Sequence, residues 1–289
     1  FLTHLFVAST HAYILIFSDQ GRVYWLKVHT IPDVGPSGRG KSIANLVSME
    51  SDEKIAALLA VREWPATDDE HYIVTGTRHG VIKKTDLRAF SNPRQGGIIA
   101  AGVDAEDAVI AAELTDGHGE VFLGTRRGMA IRFPERNVRP MGRTARGVRG
   151  INLRSEDEVV AMAVVRPGGT LLTVTENGYG KRTELDEYRV QSRGGVGIIG
   201  IQTTARNGLV AGITYVEDED ELMLITQQGK VLRMDTKDIR PIGRATQGVR
   251  LIEMDDQDRV VSLARLTEDA TDTSDGDDPG DTEAGSAEE

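Results

Sequence analysis

The sequence predicts an all-β protein built as a propeller-like array of four-stranded blades, with five repeats visible. Three observations lead there. A Ser/Thr-x-x-Gly turn recurs at residues 18–21, 77–80, 125–128, 175–178 and 226–229. Each turn lies between apolar runs of strand length. Finally, 32 glycines in 289 residues, with aromatics at only 5%, favour many tight turns over a helical bundle.

Taken in order, Tyr13 to Phe17, Tyr72 to Thr75, Glu120 to Leu123, Thr170 to Val174 and Leu222 to Ile225 enter the turns, and runs such as Val23 to Val28 and Val81 to Thr85 leave them. The last turn residue must take φ > 0, which glycine does without a Cβ penalty. A polar connection follows, then a second glycine (Gly40, Gly97, Gly147, Gly197, Gly248) that opens a further apolar run such as Ile43 to Val47 or Val148 to Leu153. A fourth run ends each unit: Ile55 to Val61, Ala108 to Leu114, Val159 to Val165, Leu209 to Val216 and Val260 to Leu266. The period of about fifty residues is that of stacked small sheets, none of which can bury both faces alone. The chain opens on Phe1 within a strand-like run, so an earlier blade is expected upstream.

The expected boundaries are a blade domain over residues 1–266 and an acidic disordered tail over 267–289. The tail carries ten acidic residues and no Lys or Arg, which leaves 34 basic against 45 − 10 = 35 acidic residues in the body. A basic face on that near-neutral body is therefore permitted. The absence of Cys removes disulfides, thiolate metal sites and cysteine nucleophiles. Phe1 to Phe17 lacks a basic leading region and a small-residue cleavage site, and no window approaches the roughly 20 apolar residues of a membrane span.

Basic residues recur at fixed places. The fourth residue after the turn glycine is Lys84, Arg132, Arg182 or Arg233, with Trp25 in the first repeat and Lys27 on the same strand face. Lys83 and Lys181 stand beside them, and the stretches around the second glycine add Arg39, Lys41, Arg94, Arg143, Arg146, Arg149, Arg193, Arg244 and Arg250. The longest loop echo is Val138 to Arg149 against Ile239 to Arg250. Any one such charge is explained by solubility or by guarding a sheet edge. Together they predict a stripe that follows a phosphate backbone, with affinity from Lys and Arg and little base reading. Because bending duplex DNA by 40–90° costs on the order of 1–6 kcal/mol, a wrapping surface needs many such contacts.

Sharper motifs fall away. Gly35 to Ser42 fits G-x-x-x-x-G-K-[ST], but the equivalent loops lack Gly-Lys-Ser and no strand ending in a magnesium-binding Asp follows; a structural turn is expected. Gly195 to Gly200 matches G-x-G-x-x-G without a βαβ unit around it. The six histidines form no close ligand pair, and Asp272, Asp275, Asp277 and Asp278 lack EF-hand spacing. No metal site and no nucleophile are expected.

Leu5 to Thr10, Gly21 to Tyr24, Gly40 to Leu46, Gly147 to Ile151, Glu176 to Thr183 and Arg206 to Val210 resemble the C-terminal DNA-wrapping domain in the A subunit of bacterial DNA gyrase, a type IIA topoisomerase. The resemblance runs over essentially Phe1 to Thr267. It implies a β-pinwheel of six blades that swap strands, with duplex DNA wrapped around a basic rim so that gyrase introduces negative supercoils. It also implies a bacterial cytoplasmic, nucleoid-associated setting. The partners it implies are duplex DNA, the gyrase B subunit, and the rest of the gyrase A subunit. No membrane contact is implied, and the isolated piece is expected to be a monomer without a cofactor, since ATP and magnesium act elsewhere in the holoenzyme. None of the six tyrosines follows an Arg, so the strand-cleaving Arg-Tyr pair is not here and no catalytic residue is expected. The family's Gln-Arg-Arg-Gly-Gly-Lys-Gly box is expected upstream of Phe1; Gln191 to Gly197 agrees with it at five of seven positions and reads as the equivalent loop of a later blade. Two alternatives stand beside this reading: a propeller-like protein-interaction platform whose charges are only solvated, and a nucleotide binder using Lys41.

Overall fold

The computed structural model describes residues 8–33, 40, 42–62, 64, 70–255 and 257–266. Residues 1–7, the glycine-rich motif from Gly35 to Arg39 with Lys41, and the acidic tail lie outside the described residues. In chain order the strands are β1 (Tyr13–Ser18), β2 (Arg22–Lys27), β3 (Ile55–Val61), β4 (Tyr72–Thr77), β5 (Val81–Asp86), β6 (Ile98–Ile99) and β7 (Val109–Thr115). They continue with β8 (Glu120–Thr125), β9 (Met129–Pro134), β10 (Val148–Arg149), β11 (Val159–Val165), β12 (Thr170–Thr175) and β13 (Tyr179–Glu184). The last are β14 (Ile198–Ile199), β15 (Val210–Val216), β16 (Glu221–Thr226), β17 (Val231–Asp235), β18 (Val249–Arg250) and β19 (Val260–Leu266). No α-helix occurs among the described residues; short 3-10 turns follow the hairpins.

The strands form five blades, ordered β3-β1-β2-β6, β7-β4-β5-β10, β11-β8-β9-β14, β15-β12-β13-β18 and β19-β16-β17. Each hairpin closes as expected, and the turn glycine at 21, 80, 128, 178 or 229 takes φ between +77° and +88°. The recurring Ser or Thr at the turn's first position has its own cause. The hydroxyls of Ser18, Thr77, Thr125 and Thr226 accept from the backbone N–H four residues on, at 3.0–3.1 Å, which seals the loop. A bulge recurs beside this residue in the innermost pairing of every blade.

The third apolar run of a repeat does not join its own blade. β6 pairs with β2, β10 with β5, β14 with β9 and β18 with β13, so each of these short strands is donated to the preceding sheet. This is the strand swap that the resemblance implied, and it makes neighbouring blades interdependent. Ile43 to Val47, expected to be a strand, instead forms a 3-10 turn at Ile43–Asn45. It covers Ile14, Ile16, Tyr24 and Leu26 on the outer face of the first blade, because apolar residues there have no other sheet to pack on.

The apolar core lies between blades rather than within one. Leu15 and Phe17 of the first pack with Ile73 and Phe90 of the second, Val74 and Ile82 with Leu123 and Phe133, Phe122 and Val165 with Leu171 and Tyr188, and Leu172 and Val174 with Leu222 and Leu224. At one edge of every sheet β3, β7, β11, β15 and β19 lie each against the next. Four of these strands line an open hollow of about 300 Å³ with Ile110, Ala161, Ala211 and Leu263 among its walls. That edge is the inner one, and the donated strands therefore run along the outer perimeter.

Candidate nucleic-acid interface

The expected strand stripe is largely not at the surface. Lys83, Lys84, Arg132, Lys181 and Arg182 are all at most 7% exposed. Their recurrence has a different physical source: each ties one blade to the next. Arg132 Nη1 donates to the carbonyls of Leu185 at 2.7 Å and Tyr188 at 3.2 Å, bracketing the 3-10 turn of the following repeat, while its Nε pairs with Glu120. Arg182 does the same to Thr236 at 3.1 Å, with its Nε on the Thr170 hydroxyl and its other nitrogen on Asp218. Lys84 ends 3.3 Å from the fully buried Glu135 at the head of the equivalent turn and 4.9 Å from the Tyr72 ring centroid. Buried charge is tolerated only where partners replace water; Glu120 and Thr170 do so from the cation's own sheet, while the Leu185, Tyr188 and Thr236 carbonyls and Glu135 come from the following repeat.

Lys83 and Lys181 account for the echo between the two long loops. The Lys83 ammonium donates to the carbonyls of Ala100 and Arg143, and that of Lys181 to those of Arg244 and, at 2.9 Å, Gly243. Burial holds both amines down to about 8, with Arg143 and Arg244 respectively adding to the effect. The third blade has Ile131 where these lysines stand. Thus the Pro-x-Gly-Arg stretch recurs because it docks on the two lysine-bearing blades, and Met141 and Ile242 fix the register by donating to the carbonyls of Lys84 and Arg182 at 2.9 Å.

The loop arginines do reach the perimeter. Arg143, Arg193 and Arg244 occupy one repeat position and donate to the carbonyls of Ile99, Arg149 and Ile199 on the donated strands. Arg193 and Arg244 also reach back 3.0 Å to the carbonyls of Asn137 and Glu187. These contacts use neutral carbonyls, so the positive charge is oriented without being cancelled. Arg94 and Arg149 are exposed. Arg146 is exposed but 2.9 Å from Asp104. Arg250 lies 3.9 Å from Glu253 and donates at 3.1 Å to the Tyr179 hydroxyl. Arg233, the one exposed member of the expected stripe among the last four blades, donates from Nε to Glu221 at 2.9 Å. Lys27 is exposed at the end of β2, 5.7 Å from the Tyr13 ring centroid. Arg39 and Lys41 lie outside the described residues.

The sequence reading missed a second set. Arg139, Arg189 and Arg240 follow the buried Val138, Tyr188 and Ile239 after three successive 3-10 turns and are all exposed. No carboxylate pairs with any of them among the described residues, although each lies beside a loop that carries Arg143, Arg193 or Arg244. The recurring apolar-Arg-Pro/Val triplet was the available signal. Exposed Val190, Val196, Ile199 and Val249 share this edge. The described residues hold no cluster of three or more potential metal ligands and no helix long and apolar enough to cross a membrane.

The family profile described as "DNA gyrase C-terminal domain, beta-propeller" matches residues 12–62, 71–116, 119–166, 169–217 and 220–267, one segment per blade. The DNA gyrase A subunit of Salmonella typhimurium is 45% identical over 268 residues, covering 93% of this chain and 30% of that protein. The chain thus spans about a third of the length of such relatives. Among solved structures, the C-terminal domain of DNA topoisomerase IV superposes with a TM-score of 0.80 at 26% identity, covering 89% of this chain and 80% of the other. A DNA gyrase A C-terminal domain superposes with a TM-score of 0.79, also at 26% identity, covering 90% of this chain and 84% of the other. With one profile segment on each of five inter-locked blades, the chain belongs to the DNA gyrase C-terminal domain family.

Proposed function

We propose that this chain binds duplex DNA without sequence preference along its outer perimeter and bends the duplex around itself. In this reading it acts as the wrapping part of a DNA gyrase, whose ATP and magnesium chemistry lies in other parts of the enzyme. The observation that carries the reading is the repeated pair of arginines on each outer loop. One (Arg143, Arg193, Arg244) is fixed by neighbouring carbonyls, and one (Arg139, Arg189, Arg240) is exposed with no carboxylate partner among the described residues. Guanidiniums spaced by the blade repeat and left uncompensated suit a phosphate chain, whereas a merely solubilising surface has no need to orient them. The names of the relatives, which are a DNA gyrase and a DNA topoisomerase IV, support a DNA substrate. Partners on this reading are duplex DNA, the gyrase B subunit, and the remainder of the gyrase A subunit, in the bacterial cytoplasm.

The test is duplex binding across a salt series with Arg139, Arg189 and Arg240 each changed to Ala, singly and together. Each lost phosphate contact should flatten the log–log salt dependence by about 0.9, equally for all sequences. Unchanged binding by the triple variant would overturn the reading. The exposed Val190, Val196 and Ile199 favour the alternative of a protein-docking platform, which expects no retardation of linear duplex even at low salt.

A further inference from the structure

We propose that Tyr179, Arg206 and Arg250 form a seat for one phosphate oxyanion on the rim of the fourth blade, and that its occupant is a backbone phosphate of bound duplex. The proposal rests on the DNA-binding reading and adds a residue, Arg206, and a chemistry, a phenol between two guanidiniums, that no repeat pattern discloses.

Tyr179 opens β13 directly opposite Arg250 of the donated strand β18. Arg206 arrives from the turn between β14 and β15. Arg206 Nε donates to the Tyr179 hydroxyl oxygen at 3.2 Å and Arg250 Nη2 at 3.1 Å. Both guanidinium carbons also stand over the ring, 5.1 and 5.5 Å from its centroid. Two like charges are thereby held on one oxygen at the protein's edge. The side-chain hydrogen bond from Arg206, followed by that from Arg250, lowers the phenol's pKa, the sign of a local positive potential. Among the described residues, the carboxylate that pairs with either arginine is Glu253, 3.9 Å from Arg250 and 88% exposed, too peripheral to neutralise two cations.

The donor inventory matches one ligand class. Each guanidinium has N–H groups left over after the phenol, and the phenol oxygen, with two N–H donors on its lone pairs, has its own proton to give elsewhere. A tetrahedral phosphate can accept from both arginines and from the hydroxyl at once, while its charge relieves their mutual repulsion. The equivalent position after the turn glycine holds Arg22, Val81, Met129 or Lys230 in the other blades, so the seat is particular to the fourth. Its occupant follows from location: β18 is a perimeter strand, continuous with the loop that carries Arg240 and Arg244.

The test uses this chain with its tyrosines isotopically labelled and follows the Tyr179 phenol titration by NMR, alongside salt-dependent duplex binding. Duplex binding should raise the Tyr179 pKa, because a phosphate offsets the two guanidiniums. Arg206→Ala should lose about 0.9 from the salt slope, and Arg206→Lys should retain it. Tyr179→Phe, which keeps every charge, should leave the slope in place, and melting curves of all three variants check folding. If the wild-type chain binds duplex but Arg206→Ala leaves the slope untouched and the phenol does not respond, the seat is overturned while the DNA-binding reading stands. If the wild-type chain fails to bind duplex, both fall. Inorganic phosphate alone serves as the second probe: a phenol that responds fully to millimolar phosphate and not to duplex would assign the seat to a free oxyanion and overturn the DNA occupant.

Discussion

Glu113 shows how an inner strand handles an acid without a counter-charge at its side. It sits on β7, where its Oε2 accepts from the Val164 N–H of β11 at 2.8 Å. Part of its surface stays open, yet the carboxyl is packed deeply between blades, and that burial raises its pKa to about 7 against the opposing help of Val164 and Arg265. The folded value lies above the unfolded one near 4.5, so the folded state holds the proton more tightly. The stabilisation linked to this group is then full below pH 4.5 and is lost as pH rises through 7. Glu113→Gln keeps the acceptor for Val164 and removes the charge. It should leave stability at pH 4 nearly unchanged and raise it at pH 8 by about 2 kcal/mol, measured by urea unfolding at the two pH values. An equal effect at both would show that the carboxyl is not charged against a cost at pH 8. Nothing about Glu113 could be read from the sequence, because a single acid on an apolar strand looks the same whether it faces a neighbouring blade or water.

At the scale of the element, the sequence reveals the hairpins and conceals their exchange. Turn glycines, flanking strands and the inner strands all sit where the residue pattern puts them, because each depends on local chemistry within about ten residues. The donated strands are two residues long and pair with the previous repeat, so no local periodicity identifies their partner. The same non-locality misdirected the basic stripe: Lys84, Arg132 and Arg182 recur because every blade meets the next in the same way. In a repeat protein, recurrence alone does not separate a contact between repeats from a contact with a ligand, and only burial does. Gly147 tests the element directly. It has φ +109°, and a Cβ there would stand 2.6 Å from the carbonyl oxygen of Ile82, at the start of the strand that anchors Arg149. Gly147→Ala should cost about 1–3 kcal/mol of stability and speed exchange of the Val148 and Arg149 amides. It should also weaken duplex binding, although no charge is removed. Gly142→Ala, five residues earlier with open space around it, should do none of these; if both behave alike, the loop is not held through β10.

Across the whole molecule, two opposite charge populations share one chain. The residues through 266 are near neutral in sum, yet their perimeter carries Arg94, Arg139, Arg149, Arg189, Arg193 and Arg240 without carboxylate partners among the described residues. Residues 267–289 carry ten acids and no base. Fully extended, 23 residues span at most about 80 Å. On the proposed DNA-binding reading, carboxylates tethered at an effective concentration on the order of millimolar should compete with phosphate for the same guanidiniums. Truncation after Leu266 should therefore tighten duplex binding at low salt and steepen its salt dependence, since more counterions are displaced from DNA when the rim starts unoccupied. The advantage should vanish toward 1 M salt, where the screening length falls to about 3 Å. Replacing the ten acids by Ser and Asn at constant length separates charge from bulk. If that variant binds as tightly as the truncated chain, the competition is electrostatic; if it binds like the parent, the tail does not compete for the rim through its charge.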